Sequence, residues 1–218
     1  MSNPLLQLIV LAGIAIFLIL RLRNVLGTRD GFEPGPVDQP QQAPARFEVI
    51  EGRADEVDHD ILDHAEEGTP AAAALAAMKQ VEPDFGVRDF LGGARQAYEM
   101  ILMAFEHGDL SEVRPFLADP VAEALQAVID QRAANNQTVE AQYLGTRDTS
   151  LAAAEFDPVS GLAEISVRFT GELIAATRDA DGTVIEGDPK ASRKQKDLWT
   201  FARHMGQDDP NWQLVATG

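Results

Sequence analysis

Cysteine is absent from the 218 residues, and histidine occurs only four times. Without cysteine the chain forms no disulfide, no thiolate metal site and no thiol nucleophile. Basic residues are also scarce, since 18 Lys and Arg stand against 35 Asp and Glu, which gives a net charge of −17. Because such an acidic chain repels phosphate backbones, we predict no nucleic-acid partner.

The chain also lacks the residue patterns that carry catalysis. No Ser/His/Asp set, phosphate-binding loop or complete metal spacing is present, so we predict no enzymatic activity, metal or cofactor. Asp60 and His64, with Asp58 and His59 beside them, would lie one helical turn apart and could converge on a metal. A pair of ligands on a flexible tether has no preformed geometry, which argues against a metal site here. The segment 179–182 lacks the later ligands of a calcium loop and is predicted to be a β-turn.

One long hydrophobic run stands out near the start of the chain. Residues 5–20 carry no charge and only Gln7 as a polar side chain. This run predicts a single transmembrane helix over residues 1–23, because a bilayer requires roughly 20 apolar residues. Arg21 and Arg23 follow it directly and nothing basic precedes it, so the positive-inside rule predicts that the C-terminal side is cytoplasmic. A cleavable signal peptide would need the opposite charge order, and a buried core helix is the remaining alternative.

A linker is predicted over residues 24–68. Its first part, 31–44, contains four prolines and three glutamines, a composition that buries too little surface to fold. The part over 48–67 is acidic around a few apolar residues and indicates a disordered stretch, with a short amphipathic or partner-binding helix as the alternative. Thr69 and Pro70 then form a typical helix start, so the folded domain is predicted over residues 69–218.

Helices come first in this domain. Apolar residues from Val87 to Phe105 recur at spacings of three and four, which predicts a helix with one buried face. Gly92 and Gly93 lower helix propensity by about 1 kcal/mol each, and they predict a close crossing of another backbone. A second helical pair is predicted over 110–135, interrupted by prolines.

Beyond residue 137 the period changes to two. Ala163, Ile165, Val167 and Phe169 alternate with polar residues, which is typical of an antiparallel strand with one wet face. Turn signals divide the rest into about four strands, near 139–155, 162–177, 192–205 and 211–217. The last two form a hairpin, in which Trp199 and Trp212 are predicted to be core residues. Helices followed by a meander predict an α+β fold.

Several separated motifs resemble the Tim44-like domain family over about residues 84–218. They are the run Phe90-Leu-Gly-Gly-Ala-Arg-Gln-Ala-Tyr98, the helix end at 104–109, the turn at 184–189, and the closing Asp197-Leu-Trp-Thr-Phe201 and Pro210-Asn-Trp-Gln-Leu214. With its predicted anchor and Pro-rich tether, the chain is similar to the bacterial TimA-type members. This resemblance implies an NTF2-like cone, with helices packed over a curved antiparallel sheet, at the bacterial inner (cytoplasmic) membrane.

The same resemblance implies a function. It suggests a membrane-anchored, non-catalytic adaptor in protein translocation or membrane protein handling, with the bilayer and an unknown protein as partners. Mitochondrial Tim44 has a basic N-terminal region and recruits the matrix Hsp70, whereas this chain has an acidic linker there, which argues against chaperone recruitment. The alternatives are a domain that binds a lipid or another apolar ligand and, less favoured, an NTF2-like enzyme.

An apolar pocket is the candidate site. If the helices cover the sheet incompletely, six aromatic residues on the inferred inner faces should line a cavity that holds a lipid tail or an apolar side chain of a partner. The alternative is that they interdigitate into a solid core. The six are Phe90, Tyr98, Phe116, Phe169, Trp199 and Phe201.

Overall fold

The computed structural model describes residues 58–218 of the chain. Helices precede a meander of strands, as the sequence predicts. The helices are α1 (His59–Leu62), α2 (Pro70–Val81), α3 (Val87–His107) and α4 (Asp119–Ala134), with a 3₁₀ turn at Arg114–Phe116. The strands are β1 (Thr138–Asp157), β2 (Leu162–Arg178), β3 (Val184–Gly187), β4 (Arg193–His204) and β5 (Gln213–Thr217).

The strands form one curved antiparallel sheet, which confirms the α+β class. Its order is β1-β2-β4-β5, and β3 pairs with the end of β2. The sheet therefore has five strands where the sequence predicts about four. The extra strand is only four residues long and pairs Glu186 with Thr177. The turn before it is the predicted β-turn, because the Gly182 amide donates to the Asp179 carbonyl at 3.0 Å.

Successive residues of β2 point to opposite faces of the sheet. Ala163, Ile165, Val167 and Phe169 are fully buried, whereas the residues between them are partly or fully exposed. This confirms the predicted alternation and defines an inner face, which the helices cover. We call the opposite side the outer face.

Helix α3 is the principal element on the inner face. Its buried residues recur at the predicted spacings and include Val87, Phe90, Ala94, Tyr98 and Ile101. The helix ends at Gly108, whose φ of 77° lies in the left-handed region that only glycine adopts without strain. Helix α2 begins with the Thr69 side chain accepting from an amide of its first turn, as predicted.

The segment 58–68, assigned to the linker by composition, contains the short helix α1. Ile61 is buried, and the Asp60 carboxylate accepts from the backbone amides of Val87 at 2.8 Å and Arg88 at 3.0 Å. Asp60 therefore caps helix α3, because Gly86 at the cap position has no side chain to do so. Among the described residues, contacts with the domain are present from Asp58 onward, eleven residues before the boundary that the sequence predicts.

The same segment contains Asp58, His59, Asp60 and His64, the side chains that could have converged on a metal. The Lys79 ammonium binds the carboxylates of Asp58 at 2.8 Å and Asp60 at 2.7 Å. Partial burial raises the pKa of Asp60, but the hydrogen bonds from Lys79 and the α3 amides outweigh it and bring the pKa to about 2. Within residues 58–218 no group of three His, Asp or Glu side chains is placed to hold a metal.

The predicted anchor, residues 1–23 with Arg21 and Arg23, and most of the predicted linker lie outside the described residues. Between residues 58 and 218 no helix has the length and apolar character needed to cross a bilayer.

Candidate functional site: an aromatic groove beside helix α3

Near its middle, at Tyr98, helix α3 packs tightly onto the sheet. The Tyr98 ring stacks on Phe169, with centroids 4.4 Å apart and planes 10° apart. Trp199 meets the same ring edge-on at 4.8 Å. Tyr98 and Phe169 are fully buried and Trp199 is 6 % exposed, so these three rings form solid core. We call them the closed half of the helix–sheet interface.

The Tyr98 hydroxyl fixes this half in place. It donates to Oδ2 of Asp197 at 2.5 Å, which joins the middle of α3 to β4. Burial raises the pKa of Tyr98, and the hydrogen bond to Asp197 and its negative charge raise it further. The hydroxyl therefore stays protonated and keeps donating at any ordinary pH. Asp197 is the first residue of the motif Asp197-Leu-Trp-Thr-Phe201, and this bond gives it a structural role.

Residues 89–100 of α3 line one side of a groove of about 290 Å³. We call it the aromatic groove. Phe90 lies in its wall, with its ring 4.8 Å from Trp212 and edge-on to Phe201 at 6.1 Å. The groove is lined by Asp89, Phe90, Gly93, Ala94, Gln96, Ala97, Met100, Phe116, Phe201, Pro210, Asn211 and Trp212.

Gly93 lies in the groove wall, and no other segment of the described chain packs against the helix at this position. A Cβ atom built on Gly92 or Gly93 would meet no other atom within 4 Å. The predicted close crossing of another backbone at these glycines is therefore wrong. At Gly93 the missing side chain leaves open the space that forms the groove, and any larger side chain would project into it.

Trp212 is held at the groove from several sides. Its ring lies 6.1 Å from Phe85, and the Arg203 guanidinium lies 5.3 Å from its centroid. Arg203 is itself paired with Glu82, so the cation is fixed in position over the ring. Trp212 is only partly buried and precedes β5. The prediction of both tryptophans as core residues of a hairpin therefore holds for Trp199, while Trp212 lies at the groove.

The structure divides the six predicted pocket residues into two groups of three. Phe90, Phe116 and Phe201 line the groove. Tyr98, Phe169 and Trp199 belong to the closed half. Sequence reasoning missed Gly93 and Trp212 as groove residues. The turn residues before Trp212 were the available signal, since a ring that follows Pro210 and Asn211 need not follow the strand alternation.

The groove is apolar inside and polar at its margin. Phe90 and Phe201 are buried, whereas Asp89, Gln96 and Asn211 are exposed. Of the lining residues, Asp89 alone has an ionisable side chain. Such a site can bury an apolar group and hydrogen-bond its polar neighbours at the margin.

The family model described as the Tim44-like domain matches residues 71–218, which is more than half of the chain and includes the whole groove. The chain belongs to the Tim44-like domain family. Among solved structures, the crystal structure of the intermembrane space region of chloroplast protein ARC6 matches 62% of this chain and 97% of that chain. Its sequence identity is 11% and its TM-score 0.43. No curated protein matched the sequence.

Proposed function

We propose that this Tim44-like protein is a membrane-anchored, non-catalytic adaptor of the bacterial TimA type, with an NTF2-like domain at the cytoplasmic face of the inner membrane. The anchor is residues 1–23, and the aromatic groove takes an apolar side chain of a protein partner engaged in translocation or membrane protein handling. The observation that carries the proposal is the groove itself, in a domain whose family is linked to protein translocation.

The composition of the groove supports binding over chemistry. Proton transfer needs an acid or base held within reach of the substrate, usually with its pKa tuned by burial. Asp89 is exposed at the margin, and the groove wall is built from Phe90, Phe201 and Trp212. Aromatic rings of this kind bury large area and anchor partners in protein interfaces.

The size of the groove favours a side chain over a lipid. Ligand sites for small molecules usually measure about 300–1,000 Å³, and this groove, at about 290 Å³, lies at the lower limit. A lipid tail or another apolar ligand is the second candidate, supported by the apolar wall. The two differ in what should copurify with the chain.

A crosslinker at the groove margin tests the adaptor. Met100 lines the groove and is 47 % exposed, so a photoreactive phenylalanine at this position should crosslink a protein partner in cells that express the full-length chain. Gly93→Leu fills the groove and should abolish that crosslink. Gly92→Leu makes the same change one residue away, outside the groove lining, and should leave the crosslink intact.

The outcomes separate the candidates. A crosslink that survives Gly93→Leu would place the partner elsewhere and overturn the groove as the docking site. Native mass spectrometry of the purified chain covers the alternative. Lipid that copurifies with the parent chain and is lost in Gly93→Leu, without a protein crosslink, would favour the lipid-binding function.

The proposed orientation has its own test. Arg21 and Arg23 directly follow the apolar run, which favours a cytoplasmic C-terminal domain. Protease added to intact spheroplasts should leave residues 58–218 whole. Digestion of the domain before lysis would overturn this orientation. It would not bear on the proposed role of the aromatic groove.

A further inference from the structure

The outer face of the sheet carries charges of opposite sign at its two ends. The register of β2 with β4 places Arg168 beside Leu198, Thr170 beside Lys196 and Glu172 beside Lys194. At the other end, Glu164 lies between Glu155 on β1 and Ala202 on β4. We call these the basic end and the acidic end.

The basic end has more cations than its own carboxylates can pair. Arg147 is paired with Glu172 at 2.6 Å, and Asp148 lies beside Thr170. Arg168 and Lys196 are exposed and make no ion pair with any side chain of residues 58–218. The hydrogen bond from Arg147 lowers the pKa of Glu172, and the charge of Lys194, which lies beside that carboxylate, helps to lower it. Leu198 adds an apolar side chain that is 42 % exposed.

At the acidic end, two carboxylates repel each other across neighbouring strands. Glu155 and Glu164 are direct cross-strand partners, and like charges opposite one another weaken a sheet. The register aligns no Lys or Arg of the described strands with this pair. A cation from outside the chain would relieve the repulsion.

Small residues separate the two ends. The Ser166 and Thr200 hydroxyls lie 2.8 Å apart in the middle of the outer face, and Ala153 and Ala216 flank them in the register. Side chains of this size allow another surface to approach the strands closely. From a strand spacing of about 4.8 Å and a rise of about 3.3 Å per residue, the face measures on the order of 800 Å². That matches the area each partner contributes to a stable interface.

We propose that the outer face binds a second copy of this chain. The two-fold axis lies midway between the two facing sheets and runs perpendicular to their strands. It passes Ser166 and Thr200. This rotation places Arg168 of one copy over Glu164 of the other, because the two residues lie two positions on either side of Ser166 on β2. Such an interface is isologous, so each charge pair forms twice. An anionic lipid surface would satisfy the basic end alone and leave the Glu155–Glu164 repulsion unrelieved.

Cysteine crosslinking tests the axis, because the chain contains no cysteine of its own. In the full-length chain, Ser166→Cys should form a disulfide-linked dimer on oxidation, since residues near a two-fold axis meet their own copies. Thr200→Cys is a second variant at the same level. Ser111→Cys is the matched control, because Ser111 is exposed in the turn before the 3₁₀ segment, and it should stay monomeric.

A charge swap tests the pairing. Arg168→Glu should remove most of the crosslinked dimer of Ser166→Cys, and adding Glu164→Arg in the same chain should restore it. Arg95→Glu makes the same charge change at an exposed position of α3 and should have no effect. Sedimentation of the same charge variants without cysteine gives an independent readout of the dimer.

Three results would overturn the proposal. The first is absence of crosslinking in folded Ser166→Cys and Thr200→Cys, and the second is equal crosslinking of Ser111→Cys. The third is failure of the charge swap to restore a dimer that Arg168→Glu had lost. Binding to vesicles of anionic lipid that depends on Arg168, without any crosslink, would assign the face to a lipid surface. None of these results bears on the aromatic groove.

Discussion

The two halves of the helix–sheet interface use the same kind of residue to opposite effect. In the closed half, Tyr98, Phe169 and Trp199 pack ring against ring and are buried. In the groove half, Phe90, Phe201 and Trp212 are equally aromatic, yet they leave about 290 Å³ between them. The difference lies at the positions between the rings, where Gly93 contributes no side chain. Aromatic content alone therefore does not distinguish a core from a binding site.

The largest expected effect compares the two tryptophans. Trp199→Ala should lower the free energy of unfolding by about 3–5 kcal/mol, because it removes a buried ring and leaves a cavity. Trp212→Ala should cost roughly half as much, since that ring remains partly in contact with water. Urea denaturation followed by circular dichroism measures both values. Equal costs would mean that Trp212 is as much a part of the core as Trp199.

Tyr98→Phe isolates the hydrogen bond that fixes the closed half. It should lower the free energy of unfolding by about 1–3 kcal/mol, because Oδ2 of Asp197 loses the Tyr98 hydroxyl as a donor. The raised pKa of Tyr98 means that this stabilisation is present below the ordinary tyrosine pKa of 10.0 and is lost as the pH rises above it. The parent chain should therefore lose its advantage over Tyr98→Phe in alkaline solution. Phe169→Leu, which keeps the hydrogen bond, should retain the pH dependence.

Asp60→Asn tests the end of α3 nearest the groove. The neutral side chain loses its ion pair with Lys79 and caps the helix less well, so the free energy of unfolding should fall by about 1 kcal/mol. The pKa of Asp60 is depressed to about 2. The stabilisation is therefore present above the ordinary aspartate pKa of 3.8 and is lost as the pH falls toward 2. Denaturation at several acidic pH values should show the two chains converging, and a constant difference would contradict this account.

The smallest effect on stability concerns the two glycines. Gly92→Ala and Gly93→Ala should each raise the free energy of unfolding by up to about 1 kcal/mol, because alanine is the better helix former and neither new Cβ meets an obstacle. Thermal melts should rise for both variants. A loss of stability in either one would mean that the helix does not leave that position open.

Much of the fold was predictable from local patterns. The period-two alternation of β2 and the three-and-four spacing of α3 identified the buried faces, because burial on one side imposes those periods directly. The α+β class follows from the order of the two patterns. Strand β3 was missed because four residues are too short to display a period.

The candidate site was predictable only in part. Phe90, Phe116 and Phe201 were identified as pocket residues and lie at the groove, yet Tyr98, Phe169 and Trp199 share their pattern and lie in the core. Gly93 was misinterpreted as a packing contact, because a helical glycine can indicate a close neighbour or an empty space. Asp60 was considered as a metal ligand, whereas it caps a helix that begins 27 residues later.

The sequence by itself determined most of the secondary structure, the acidic character and the family, since composition, periodicity and local motifs are properties of neighbouring residues. The tertiary structure decided where the helix and the sheet fail to meet. It also decided which ring meets which, and that Glu155 lies opposite Glu164. These outcomes depend on the relative placement of elements far apart in the chain, which short-range patterns do not encode.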